Sequence, residues 1–198
     1  MAEQPPIGIH NIKQQKSINL LGSALGKIGI DPFQLNANKI IKKAAKKANY
    51  ENKIPNQVIT GLRNMVDSLQ KEANLNAHGK VEIKTLLERT LYGRLKIEQH
   101  LEEHPEIEEI EIKEPIFIIG MPQSGTSILH QMLDLDHLHR SPLAWECLLP
   151  YPPPSPNGNS SNEHYKTVQK EYEQLFRMIP RFKEQHNLGA NTTQECLG

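Results

Sequence analysis

The chain has 198 residues, and its 23 lysines and arginines are balanced by 23 aspartates and glutamates. This length is enough for one α/β domain with a hydrophobic core, and the balanced charge gives no overall field that would draw the protein to nucleic acid or to an acidic membrane. The two cysteines are too few for a disulfide framework and too far apart in sequence for a metal motif, so a reducing cytoplasm is the expected location. No apolar run is long enough to span a bilayer, which predicts a chain without a transmembrane segment.

The first part of the chain, residues 1–56, is predicted to be a partly helical N-terminal extension. Residues 1–35 carry several glycines and prolines, and this composition favours irregular structure or short helices. Residues 37–49 then place lysines on one side of a helix and isoleucine and alanine on the other. A helix with a solvated lysine face is the simpler interpretation. A membrane surface or an anionic partner is the alternative, which the small, alanine-rich apolar face disfavours.

Two amphipathic helices are predicted next. Apolar residues from Gln57 to Leu75 recur at helical spacing, and a similar pattern extends over residues 84–103, where Pro105 follows and ends the helix. Residues 76–80, with the sequence NAHGK, are predicted to form the turn between them. Two helices therefore precede the segment that carries the motif described below.

The period of the apolar pattern changes at Pro115. Residues 115–120, with the sequence PIFIIG, form a nearly continuous run rich in β-branched residues, which is typical of a strand buried on both faces of a parallel sheet. Helical spacing resumes over residues 127–135. This strand–loop–helix unit predicts an α/β fold with a parallel sheet flanked by helices. Such a sheet needs several strands and the sequence offers one, so either further strands lie beyond residue 198 or the sheet is missing. The first alternative is expected, with the chain as the first part of a longer protein.

The loop between the predicted strand and helix has the spacing of a phosphate-binding loop. Four residues separate Gly120 from Gly125, as in a Walker A loop, but Thr126 stands where that loop has its lysine, and Ser127 follows. The N–H groups of such a loop, the helix N-terminus and the hydroxyls together favour an anion. The missing lysine argues against hydrolysis of ATP or GTP. A plain strand-to-helix turn built from small residues is the alternative interpretation.

Residues 115–133, with the sequence PIFIIGMPQSGTSILHQML, resemble the 5′-phosphosulfate-binding loop of sulfotransferases that use 3′-phosphoadenosine 5′-phosphosulfate (PAPS) as donor. The segments Gly61–Leu95, Ser141–Pro154 and Leu188–Leu197 are similar to neighbouring segments of the bacterial-type members of that family. The resemblance therefore covers roughly residues 57–198, with the loop as its most specific part. It implies that residues 57–198 are the N-terminal part of a sulfotransferase-like α/β domain, a P-loop-like parallel sheet flanked by helices and preceded by the helical region.

The resemblance implies a donor site in the loop. Ser124, Gly125, Thr126 and Ser127 would hold the 5′-phosphate and sulfonate oxygens through N–H groups and hydroxyls. Gln123 occupies the position where the family has arginine or lysine, and an amide there donates a hydrogen bond without bringing charge. The family reads the 3′-phosphate with an arginine and a serine further along the fold, and no such segment is found in this sequence.

Sulfuryl transfer also requires a general base that takes the proton of the acceptor hydroxyl. Several related sulfotransferases use a glutamate a little beyond the loop helix, and the resemblance assigns this role to Glu146. An ordinary glutamate at a helix start is the alternative interpretation. His130, one helical turn after Thr126 and Ser127, is a second candidate base, although a histidine there could equally pack against the sheet.

A metal is not expected. The segment Asp134–Arg140, with the sequence DLDHLHR, contains ligand-type side chains, but this spacing at a helix end rarely lets them converge on one ion.

The predicted function is transfer of a sulfuryl group from PAPS, as co-substrate, to an acceptor alcohol on a small molecule, a glycan or a lipid, with no nucleic-acid partner. A non-catalytic or incomplete nucleotide-binding relative is the alternative, which the amide at Gln123 favours. A P-loop phosphotransferase is a further alternative, which the missing Walker lysine opposes.

Overall fold

The computed structural model describes residues 12–50, 54–121, 124–153, 163–185 and 188–193. It divides into two compact units, Met1–His100 and Leu101–Gly198. In the described residues the regular structure is helical, apart from one isolated β-bridge. The helices are α1 (Ile12–Gly26), α2 (Ala37–Ala48), α3 (Asn56–Glu72), α4 (Ala77–Glu103), a 3₁₀ turn (Pro105–Ile107), α5 (Thr126–Asp134), α6 (Ala144–Leu148), α7 (Glu163–Met178) and α8 (Pro180–Gln185).

Most of the helices predicted from periodicity are confirmed, and one predicted turn is wrong. The predicted helices over residues 37–49 and 57–75 correspond to α2 and α3. The predicted turn over residues 76–80 is instead the first turn of α4. The side chain of Asn76 accepts a hydrogen bond from the N–H of Gly79 at 2.7 Å, so this asparagine caps a helix where a turn was expected.

The core of the first unit joins the alanine face of α2 to α4. The buried side chains of this cluster are Ala44, Ala45, Ala48, Leu91, Tyr92 and Leu95. Two lysines of α2 also contact side chains of α4. Lys43 Nζ lies 2.6 Å from a Glu88 carboxylate oxygen, and Lys47 Nζ lies 5.8 Å from the centre of the Tyr92 ring. Because the apolar face of α2 is already buried, the structure favours a surface helix over a membrane anchor for this element.

The second unit is built around Trp145, which is almost completely buried. Its indole packs with Leu149, Val168 and Ala190. The backbone N–H of Trp145 donates to the carbonyl oxygen of Ala190 at 3.2 Å, and Leu143 forms the isolated antiparallel bridge with Thr193. Helix α6 is thus held between α7 and the segment that follows α8.

The predicted parallel sheet is absent from the described residues, and the α/β, P-loop-like fold class is therefore wrong for them. Residues 115–120 form no ladder, and the side chains of Phe117 and Ile119 are 80% and 92% exposed. A strand is stabilised by hydrogen bonds to neighbouring strands and by burial of its faces. No second described segment supplies either, so an apolar pattern typical of a central strand lies at the surface.

The predicted division of the chain after residue 56 stays a prediction, because it follows the extent of the resemblance. No helix in the described ranges is both long enough and apolar enough to cross a bilayer.

The stability of the second unit is predicted to depend on pH through His164, in the first turn of α7. Burial lowers the pKa of this imidazole below its ordinary value of 6.5, against the opposing effect of its hydrogen bond to Leu149; its Nδ1 lies 3.0 Å from the Leu149 carbonyl oxygen. The unfolded chain then binds a proton more readily than the folded one. The free energy of unfolding is accordingly undiminished above pH 6.5 and falls as the pH drops below it.

We therefore expect the melting temperature of the wild-type protein to fall more on acidification from neutral pH than that of His164→Gln, whose amide can keep the bond to Leu149. Thermal melts of both proteins across this pH range measure the difference. Parallel curves would show that His164 does not carry the effect.

Candidate functional site

The loop before α5 closes tightly on itself at Gly120. A Cβ atom at this glycine would lie 2.6 Å from Ser124 Oγ and 2.6 Å from Thr126 Cγ2, so these two side chains would have to move to accommodate it. The N–H of Ser124 donates to the carbonyl oxygen of Met121 at 3.1 Å. Glycine at position 120 therefore allows the chain to pass close to the side chains of Ser124 and Thr126.

Gly125 directs the chain from this loop into α5. It is the N-cap residue, with φ of 90° and ψ of 7°, in the left-handed region that favours glycine. The N–H of Leu129 closes the first turn on the Gly125 carbonyl oxygen at 3.1 Å. No side chain caps the helix. Within the described residues, the N–H groups of Thr126, Ser127 and Ile128 therefore have no acceptor.

The hydroxyls beside this helix end are also available. Among the described residues, the side chains of Ser124, Thr126 and Ser127 make no hydrogen bond; Ser124 is exposed, and the other two are half-buried. Unpaired N–H groups at a helix N-terminus carry partial positive charge. Together with the hydroxyls they form a set of donors suited to an anion such as phosphate.

Four of the five predicted donor-site residues are thus brought together in one turn of chain. Ser124 and Gly125 belong to the loop, and Thr126 and Ser127 begin the helix. Gln123 lies outside the described residues. The role of all five in binding a donor stays a prediction.

Glu146, the predicted base, has both carboxylate oxygens engaged. One lies 2.7 Å from an Arg140 guanidinium nitrogen, and the other accepts from the N–H of Leu143 at 2.9 Å. The side chain is 12% exposed and caps α6. A carboxylate has about four lone-pair directions, so these two bonds leave room for a proton acceptor role.

Two further residues bear on the choice of base. Arg140 has no role in the sequence analysis, although an arginine a few residues before a helix-start glutamate is a signal that indicates such a pair. His130 is half-buried on α5, one turn after Thr126, and makes no hydrogen bond within the described residues.

The acidic and histidine side chains after α5 organise a turn. Asp134 accepts from the N–H of Ser141 at 3.2 Å, Asp136 accepts from the N–H of Leu138 at 3.0 Å, and Asp136 also lies 3.2 Å from the His139 ring. In the part of the chain that the structure describes, no group of three or more such side chains could hold a metal ion. Local hydrogen bonds thus account for these carboxylates.

Comparison with known proteins finds a match that includes this loop. Residues 115–198 match the sequence model of the sulfotransferase family, and they begin at the first residue of the segment that leads into the loop. The match covers less than half of the chain.

Individual sulfotransferases are also similar to this chain. The chain is 46% identical over 37 residues to the omega-hydroxy-beta-dihydromenaquinone-9 sulfotransferase Stf3 of Mycobacterium bovis, a match that covers 19% of this chain and 10% of the relative. The Stf3 of Mycobacterium tuberculosis gives the same figures. The crystal structure of sulfotransferase STF1 from Mycobacterium tuberculosis superimposes with a TM-score of 0.68 at 24% identity, over 82% of this chain and 45% of that one.

The chain spans less than half of the solved sulfotransferase it resembles and a tenth of the curated relatives. At this sequence identity the structural likeness establishes a shared fold over the matched region.

Proposed function

We propose that this chain carries the donor site of a sulfotransferase that transfers a sulfuryl group from PAPS to an acceptor alcohol. The observation that supports this most is the first turn of α5. Three N–H groups and three hydroxyls there have no partner in the described residues, and they lie within the segment matched by the sulfotransferase family. A phosphate oxygen is the kind of acceptor that such donors fit.

In the proposed reaction, the acceptor oxygen forms a bond to sulfur while the bond between sulfur and the 5′-phosphate oxygen breaks. Adenosine 3′,5′-bisphosphate leaves, and the acceptor proton passes to a base, for which we propose Glu146. The hydroxyls of Ser124, Thr126 and Ser127 would stabilise the phosphate oxygens, where negative charge increases as the bond breaks. The Gln123 amide would add a neutral hydrogen bond, weaker than a charge-assisted one by about 1–2 kcal/mol.

A lipid-like alcohol is the acceptor class that we propose to test first. The name of the relative Stf3 gives it an omega-hydroxylated dihydromenaquinone as substrate, which is a hydroxyl on a long apolar molecule. Glycan and other small-molecule alcohols remain in the proposal, because acceptor pockets are built from variable loops.

The neutral residue at position 123 favours a second candidate function, a relative that binds the nucleotide without transferring the sulfuryl group. In that protein the donors at the start of α5 would still hold a phosphate. Binding would then persist without turnover.

The experiment that tests the donor site is a thermal melt of the 198-residue protein with adenosine 3′,5′-bisphosphate. We expect a rise in melting temperature that saturates with ligand, because a ligand bound only by the folded state stabilises it. ATP with magnesium is the matched control, since it carries phosphates without the 3′-phosphate.

The outcomes separate the alternatives. A rise with the bisphosphate, followed by transfer from ³⁵S-labelled PAPS to an alcohol, supports the enzyme; a rise without transfer supports the binding relative. A larger rise with ATP and magnesium than with the bisphosphate, or no rise with either nucleotide, contradicts the proposed donor site.

A further inference from the structure

Helix α1 exposes an apolar face that is not explained by the proposed function. The side chains of Leu20 and Leu21 are 74% and 51% exposed, and Ile28 and Ile30 in the following turn are also exposed. Large apolar side chains clustered on one exposed surface indicate a surface that another body covers.

The opposite face of α1 is the one that packs on its own unit. Asn19 Oδ1 accepts a hydrogen bond from the N–H of His78 at 2.9 Å. Gly22 approaches Ala77 so closely that an added Cβ would lie 2.4 Å from the Ala77 Cβ. Because Asn19 and Gly22 fix the orientation of the helix, Leu20 and Ala24 point away from the rest of the first unit.

The charge around this face has one sign. Residues 12–30 contain Lys13, Lys16 and Lys27 and no acidic residue. Lys13 and Lys16 lie on the helix face of Leu20 and Ala24 by their spacing, and all three lysines are exposed. The first acid that follows, Asp31, is paired with Lys80. The zero net charge of the whole chain therefore conceals a local cationic surface.

We propose that the outward face of α1 and the turn after it bind the surface of a lipid bilayer that contains anionic lipids. Leucine and isoleucine fit the boundary between headgroups and acyl chains, while lysines beside them extend to the anionic headgroups. The face belongs to one helix and the turn after it, and the side of a helix suits a fluid surface. Nucleic acid would match the lysines but gives the exposed leucines no apolar partner.

The exposed lysines of α2 provide a matched control. Lys39, Lys42 and Lys46 lie in the same unit and are equally exposed, but the apolar face of their helix is buried in the core. Replacing these three with glutamine removes the same charge as replacing the three lysines of residues 12–30. Only the replacement of Lys13, Lys16 and Lys27 alters the proposed membrane-binding surface.

The test is flotation of the full chain with phosphatidylcholine vesicles, with and without one quarter phosphatidylglycerol. Each lysine near an anionic surface is expected to raise the affinity about fivefold. With three lysines, we expect roughly hundredfold tighter binding to the anionic vesicles than to the neutral ones. Leu20→Ser with Leu21→Ser is expected to weaken that binding at least about tenfold, and the glutamine variant of Lys13, Lys16 and Lys27 is expected to remove the preference for anionic lipid. The variant of Lys39, Lys42 and Lys46 should bind like the wild type.

A direct readout of insertion is available because the chain has one tryptophan, which is buried. In Leu20→Trp, emission from the new indole should shift to the blue on anionic vesicles and should be quenched by brominated acyl chains. Circular dichroism checks that each variant keeps its helix content.

Several outcomes would overturn the proposal. One is equal binding of the wild type to neutral and anionic vesicles. Another is an equal loss of vesicle binding in the two triple lysine-to-glutamine variants. A third is no quenching of the indole fluorescence in Leu20→Trp. A dimer that Leu20→Ser with Leu21→Ser dissociates would assign the same face to a second copy of the chain.

Discussion

Replacing Gly120 by valine is expected to weaken the binding of adenosine 3′,5′-bisphosphate about a hundredfold. A single Cβ at this position already lies 2.6 Å from Ser124 Oγ and from Thr126 Cγ2, and valine adds two further carbon atoms. The side chains of Ser124 and Thr126 would have to turn away, and the hydroxyls at the start of α5 would no longer converge with its N–H groups on one phosphate. The loss of two charge-assisted hydrogen bonds is enough for an effect of this size. Isothermal titration calorimetry of both proteins measures it.

Gly61→Val is the matched control, because Gly61 lies in α3 and a Cβ added there meets nothing within 4 Å. This control should bind the nucleotide like the wild type. A finer test pairs Gly120→Ala with Thr126→Ser, which removes the Cγ2 atom and should recover part of the affinity that Gly120→Ala loses. Wild-type affinity in Gly120→Val would show that the anion does not bind in this loop.

Helix positions could be predicted from the sequence because the apolar period of a helix is a local property. The pattern over residues 57–75 identifies α3 to within a few residues, and the alanine face of residues 37–49 is the face that α2 buries. The two glycines of the loop likewise indicated a turn before α5, and Gly125 has the positive φ that such a turn requires.

The sheet could not be predicted in the same way, because pairing is a property of several segments together. The run at residues 115–120 has the composition of a central strand, yet within the described residues nothing pairs with it. The start of α4 was missed for a local reason. A Gly-containing segment typically indicates a turn, while Asn76 at its beginning supplies a helix cap.

In the candidate site too, the sequence predicts features that depend on adjacent residues and does not predict contacts between side chains. Residues adjacent in sequence, Ser124 to Ser127, could be grouped because one turn of chain holds them. Contacts between side chains were not visible in the sequence, so neither the Arg140 partner of Glu146 nor the clash that constrains Gly120 could be anticipated. Glu146 therefore has two roles to separate, a helix cap that the geometry shows and a base that we propose.

Glu146→Gln is expected to lower kcat for sulfuryl transfer by roughly a hundredfold or more, because general-base catalysis contributes about 10²–10⁴-fold. The melting temperature should change little. The amide oxygen of glutamine can still accept from the N–H of Leu143, and the lost ion pair involves an Arg140 side chain that is 71% exposed, where such pairs contribute little. Initial rates with PAPS and the omega-hydroxylated dihydromenaquinone proposed above as the first acceptor to test, together with thermal melts, measure both quantities.

Arg140→Gln is the matched control, since it removes the ion pair and leaves the carboxylate and its bond to Leu143. We expect its kcat to stay within about tenfold of the wild type, because the proton acceptor is retained. If Glu146→Gln kept near-wild-type kcat, Glu146 would be a helix cap alone, and His130 would be the next residue to replace. If kcat fell only in step with the melting temperature, the loss would reflect the fold of α6, and the proposed base would be rejected.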